Sequence, residues 1–196
     1  YSNSLRVVRV QNSSVSNATE SGSTFVIKNT TDYQNNYADG SASVGLWAAR
    51  TAGAFGNSIQ VSSCPSATAY EEVNKTTVAD ASMAVGDTVV TVTSGTGISA
   101  GDIVNFGDQY EYRVISVATN DLTIVRKEEP QFFVASNSSG LHEALTNGAA
   151  VRRRWRYYDL FDKAPGTSPY AEARGGSGDE IHIVVVDEDG GISGTK

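Results

Sequence analysis

Between Ala84 and Lys127 the chain reads AVGDTVVTVTSGTGISAGDIVNFGDQYEYRVISVATNDLTIVRK, four β-branched runs broken by Gly-Asp, Gly-Thr-Gly, Gly-Asp and Asn-Asp. Val, Ile and Thr fit a pleated strand, while Gly, Asn and Asp accept the backbone angles of tight turns. Strands about ten residues apart with such punctuation build antiparallel sheets and not helical bundles. Alternation assigns the faces: Val90 and Val92 share one, Leu122 and Ile124 another. The stretch predicts a small antiparallel β-barrel or sandwich over about 76–130, inserted in a larger domain.

Composition points the same way. Ser, Thr, Asn and Gly fill 71 of 196 positions, which favours strands and turns over long helices. Hydrophobic residues at 39% suffice for a core without disulfides, in one large domain or two small ones. The fold class is mainly β or α+β. Residues 1–75 are part of one domain with polar loops, 76–130 are the inserted module, and 131–196 return to the first domain. Strands of that domain include 5–10, 57–64 and 181–186. Residues 11–43 read as surface loops with one short strand at Phe25-Val26-Ile27. From Val44, two apolar stretches flank Gly53, Gly56 and Asn57 as strand, turn and strand. Ser139 to Gly148 (SGLHEALTNG) predicts a short helix capped by Ser139. Residues 151–158 (VRRRWRYY) predict an edge strand. Ile181–Val186 (IHIVVV) predicts a strand buried on both faces, closed by a turn at Asp187–Gly191. The chain opens at Tyr1 without Met, in a strand-like run, and is expected to be a piece of a longer polypeptide.

The charge balance excludes some functions. A net charge of −7 repels nucleic acid and anionic membrane, and no apolar run approaches the roughly 20 residues of a membrane span. A single cysteine, Cys64, excludes an intrachain disulfide and a cysteine metal cluster, and reads as a small buried strand residue. Gly95-Thr96-Gly97-Ile98-Ser99-Ala100 matches a dinucleotide fingerprint on paper, but a strand follows where a helix must begin, so it is a turn. Asp187, Glu188 and Asp189 lack the terminal Glu of a calcium loop. His142 and His182 have no ligand or nucleophile partner at useful spacing, and no G-x-S-x-G elbow exists. No catalytic, cofactor-binding or metal residue is assigned, and the chain is not read as an enzyme. Five N-x-S/T triplets, at Asn12, Asn17, Asn29, Asn74 and Asn137, follow from the abundance of Asn, Ser and Thr.

The densest basic cluster is Arg152, Arg153, Arg154 and Arg156, interleaved with Trp155, Tyr157 and Tyr158. It holds 4 of 15 positive charges in five residues. A nucleic-acid stripe combines such charges with stacking aromatics, yet the acidic total and the lack of a second basic cluster oppose that use. The arginines are expected to make ionic contacts with an acidic surface, at Asp187–Asp189 or on a neighbouring subunit.

Two segments share one pattern. Ala52-Gly53-Ala54-Phe55-Gly56-Asn57-Ser58-Ile59-Gln60-Val61 and Gly175-Gly176-Ser177-Gly178-Asp179-Glu180-Ile181-His182-Ile183-Val184 each lead from small residues and Gly through Gly-Asn or Gly-Asp into a strand. LWAARTAGAFGNSIQV resembles the P-G-x-x-G-N-x-I/L-x-V segment of contractile tail sheath proteins of myophages, with Ala52 where the family has Pro. Tyr1–Val10 is similar to the sheath strand that precedes it, and APGTSPYAEARGGSGDEIHIVVVDEDGGISGT to the corresponding segment of T4-like phages. The resemblance covers 1–10, 44–66 and 157–196, and leaves 11–43 and 76–150 unmatched. It implies a structural subunit that polymerises around the tail tube and contracts to drive it through the host envelope. Its partners would be copies of itself, the tube protein, the baseplate and the tail terminator, with no nucleic acid, no membrane insertion and no cofactor. Its location would be the virion tail, after assembly in the bacterial cytoplasm. The alternative is an exposed carbohydrate-binding or adhesive β-domain of a virion or cell surface.

Overall fold

The computed structural model describes residues 15–20, 22, 24–39, 44–127 and 140–190. Within it lie eight strands: β1 (Ile59–Cys64), β2 (Glu71–Thr77), β3 (Val89–Thr91), β4 (Ile103–Asn105), β5 (Tyr112–Ala118), β6 (Asp121–Arg126), β7 (Ala150–Arg154) and β8 (His182–Asp187). Helix is confined to short pieces, α1 (Thr30–Asn36), α2 (Ala67–Tyr70) and α3 (Pro169–Glu172), each with a side-chain N-cap from Asn29, Ser66 or Ser168. The protein is mainly β, in two antiparallel sheets. It divides into two compact units, one of them Ser63–His182 and the other the residues on either side.

The unit Ser63–His182 is built on a six-stranded sheet ordered β2-β7-β4-β5-β6-β3. The four runs of 84–127 become β3 to β6 as their sequence predicts, with Val90, Val92, Leu122 and Ile124 all buried. A β-bulge at Ile115 interrupts the β5–β6 ladder, since Val114 faces Ile124 and Ser116 faces Thr123. A second irregularity lies in β2 between Glu72 and Thr76. Bulges increase local twist, and here the sheet curls around Val104, Tyr112, Val114 and Val151, all 1% exposed or less. The strands run from Glu71 to Arg154, so β2 and β7 belong to the same sheet as the segment 76–130.

Four expectations need correction. The sheet is open and not a closed barrel: β2 and β3 end the strand order, and among the described residues the chain just past each of them meets in the isolated bridge Val78–Val92 and in no ladder. Residues 140–148 form turns instead of a helix. There Leu141 N donates to Asp87 O (2.9 Å) and Leu145 N to Met83 O (3.2 Å), so both leucines plug the core from a loop. β7 is interior, paired with β2 on one side and β4 on the other, and not an edge. β8 is covered on one face only, with Ile183 43% and Val185 63% exposed. It stands in a two-stranded sheet with β1, and none of the described residues covers Ile183 and Val185.

Cys64 closes β1 fully buried, as its sequence context suggests, with Sγ 3.5 Å from Ser66 O, and burial raises its thiol pKa. Gly95–Ala100 is a turn, with Ile98 N donating to Gly95 O, and β4 follows it. The run from Val44 yields one strand, β1, after a 3₁₀ turn at Ala54–Ser58. The expected strand 5–10 and the cap Ser139 lie outside the described residues. In the other unit the Asn17 side chain is 1% exposed, donating to Ala49 O and accepting from Ile27 N, so that triplet serves packing.

Candidate functional site: an arginine row beside an open cleft

β7 delivers three arginines in succession, and strand alternation sends them to two faces. Arg152 and Arg154 share a face and converge on Glu71 of β2, at 3.4 and 3.0 Å from its Oε1. Arg153 points the other way, toward the core end of the sheet. Its Nε and Nη2 meet the two oxygens of Asp102 at 2.9 and 3.2 Å, and Nη1 donates to Ala69 O at 2.6 Å. Asp102 is 3% exposed and also accepts from Ser99 N, which fixes the turn before β4. This forked pair is the most buried ionic contact of the row.

The outer face carries a network. Glu111 Oε1 accepts from Arg154 Nη1, and Oε2 accepts from Lys127 Nζ (2.7 Å) and Tyr158 OH (2.8 Å). Lys127 and Arg154 both stand over the Tyr158 ring, 4.7 and 4.8 Å from its centroid. Burial pushes the Glu111 carboxyl up, but the hydrogen bonds from Lys127 and Tyr158 outweigh it, so it titrates below the ordinary range. Burial likewise opposes the charged forms of Lys127 and Arg154, and their carboxylate partners hold both above their usual values. Tyr70 OH ties the network's base by donating to Tyr158 O (2.6 Å) and Phe161 O (3.1 Å).

Arg156 lies past the strand, its guanidinium 4.9 Å from the Tyr157 centroid. It packs over Gly101, where φ is +92° and a Cβ would stand 2.9 Å from Arg156 Nε. Position 101 therefore needs glycine both for its backbone and for the arginine.

Beside the network opens a cleft of about 760 Å³ lined by Asn105, Gly107, Asp108, Gln109, Glu111, Lys127 and Arg152. The Asn105 amide holds its rim by donating to Asp108 O (2.6 Å) and Tyr110 O (2.7 Å). Asp108 accepts the Tyr112 hydroxyl proton at 2.8 Å, and burial raises the Tyr112 pKa. Among the described residues, no group of three or more His, Cys, Asp or Glu could hold a metal ion.

His142 stacks on Tyr110 at 3.9 Å, and His182 on Phe161 at 4.0 Å with Nε2 2.8 Å from Lys163 O. Both rings serve packing. The acidic partners Glu71, Asp102 and Glu111 escape sequence reading because they lie 83, 51 and 43 residues from their arginines. The only available signal was Glu71-Glu72 at the head of a strand.

Comparisons with family models, with curated proteins and with solved structures found no match. The functional reading therefore rests on the residues themselves.

Proposed function

We propose that the chain is part of a subunit of a contractile phage tail sheath, which assembles around a tail tube and shortens to drive it through the bacterial envelope. The observation that carries this reading is the meeting of the two segments that resemble sheath proteins. LWAARTAGAFGNSIQV leads into β1, the 157–196 segment contains β8, and these strands, more than a hundred residues apart, pair in one sheet. The chain between the matched segments 44–66 and 157–196 supplies the six-stranded sheet, which in this reading is a sandwich-like insertion on an α+β sheath domain. Its role is structural, with copies of itself and the tube as partners. A two-stranded sheet is marginal alone, and the apolar outer face of β8 suits a protein completed by further strands or subunits.

Electron microscopy of the polypeptide, expressed with whatever coding sequence flanks it, tests the reading. Helical tubes or rings are expected. A monomer that binds glycans and never polymerises would overturn it in favour of an adhesive domain.

A further inference from the structure

A second cavity, of about 300 Å³, lies wholly within the other unit, between the segments 27–33 and 48–50. Buried Ile27 with half-buried Ala48 and Ala49 gives it an apolar floor, and the two alanines are small enough to leave the space open. This floor is held in advance. Asn17, 1% exposed, donates to Ala49 O (2.7 Å) and accepts from Ile27 N (2.8 Å), so one buried amide staples its two sides together. Phe25 meets Tyr37 edge to face at 5.6 Å, which seats α1 beside them. A preformed cleft loses little to ordering when a ligand enters.

The mouth offers donors and no acid. Asn29 and Tyr33, four residues apart, stand on one side of α1, and exposed Arg50 continues the Ala48-Ala49 wall. The Asn29 side-chain oxygen accepts from Asp32 N (2.9 Å), which leaves its Nδ2 group to donate. Among the described residues, nothing accepts from Asn29 Nδ2, the Tyr33 hydroxyl or the Arg50 guanidinium, and none of those lining the cavity is acidic. Asp32 does not line it, and its two oxygens accept from Lys28 N and Asn36 Nδ2.

Charge and shape then narrow the ligand. One cation calls for one negative charge, and a guanidinium forks onto the two oxygens of a carboxylate. An inorganic anion would bond at the mouth and leave Ile27, Ala48 and Ala49 against water, so the ligand carries an apolar body. The volume is at the low end of ligand clefts, roughly 300–1,000 Å³, so that body is compact. We propose that this cavity binds a small monocarboxylate whose apolar body is a single ring or a short branched chain, a site that stands or falls independently of the assembly reading.

The test uses 3-phenylpropionate as probe, titrated into the whole chain and followed by NMR. Saturable shifts are expected at the amides of Ile27, Ala48 and Ala49. Affinity should fall about tenfold in Arg50→Gln, an exposed position where the fold is unaffected, and less in Tyr33→Phe. Ala48→Leu should fill the cavity and abolish binding while the melting temperature is kept. The neutral 3-phenylpropionamide should bind about tenfold more weakly than the acid, and acetate and inorganic phosphate should not saturate. Absent shifts, equal affinity in Arg50→Gln, or binding indifferent to Ala48→Leu would overturn the site. Amide and acid binding alike would overturn the carboxylate, and phosphate displacing the probe would overturn the apolar body. A short peptide ending in phenylalanine that binds more tightly than the free acid would overturn the small molecule in favour of a protein C-terminus.

Discussion

Arg152 and Arg153 are adjacent in sequence and differ in worth. Removing Arg153 strands Asp102, whose side chain is 5% exposed, as a buried charge without its partner. Arg153→Ala should cost about 3–5 kcal/mol, whereas Arg152→Ala, at an exposed and distant pair, should cost about 0–1 kcal/mol. Urea unfolding followed by tryptophan fluorescence compares them, and equal losses would contradict the assignment of faces. Glu111 gives the pH dependence. Because its folded pKa is depressed, its contribution to stability is present above its ordinary value of 4.5 and is lost as pH falls through the folded value. Glu111→Gln should flatten this acid limb of the stability curve, and an unchanged limb would show that the network does not supply it.

At the scale of elements, local patterns were legible and non-local pairings were not. The strands of 84–127 could be read because their alternation and turns lie within ten residues of each other. β7 reads as an edge because charged residues usually mark one, yet its charges are matched by Glu71 and Asp102 from elsewhere in the chain. Leu141 and Leu145, four apart, imitate a helix face. Both do reach the core, but a loop pinned to Asp87 and Met83 carries them there. In β8 apolar residues on both faces suggest burial, whereas Ile183 and Val185 on one face are exposed. Val185→Asp should therefore change the stability of this chain by no more than about 0.5 kcal/mol, while Val114→Asp, at 1% exposure, should abolish cooperative unfolding. Comparable losses at the two sites would mean that Val185 is covered after all. The arginines themselves were visible in sequence as a site; their partners were not, for the same reason as β7.

For the molecule as a whole, the division near Ser63 and His182 defines a piece that should stand alone. Residues 63–182 contain all six strands of the larger sheet and its core, so the excised piece should unfold in one cooperative transition reported by Trp155, which is 4% exposed. A gradual, non-cooperative loss of signal would show that the unit depends on the rest of the chain. A cut at 76 and 130 is different, because it removes β3 to β6 and leaves β2 and β7 only each other.

The pairing of Glu71 with Arg154 has a mechanical consequence. β2 begins and β7 ends at the same corner, so the chain enters and leaves the sheet side by side. Tension applied to the two ends would act across the β2–β7 ladder, along its hydrogen bonds and not along the strands. The rungs would then be loaded one at a time from the Glu71–Arg154 end, as in opening a zipper, instead of sharing the load in shear. The first rungs to feel the pull are those bound by Arg154 to Glu71 and by Arg153 to Ala69 O and Asp102. The arginine row thus works as a clasp at the one corner where a pull on the backbone would start to peel the sheet.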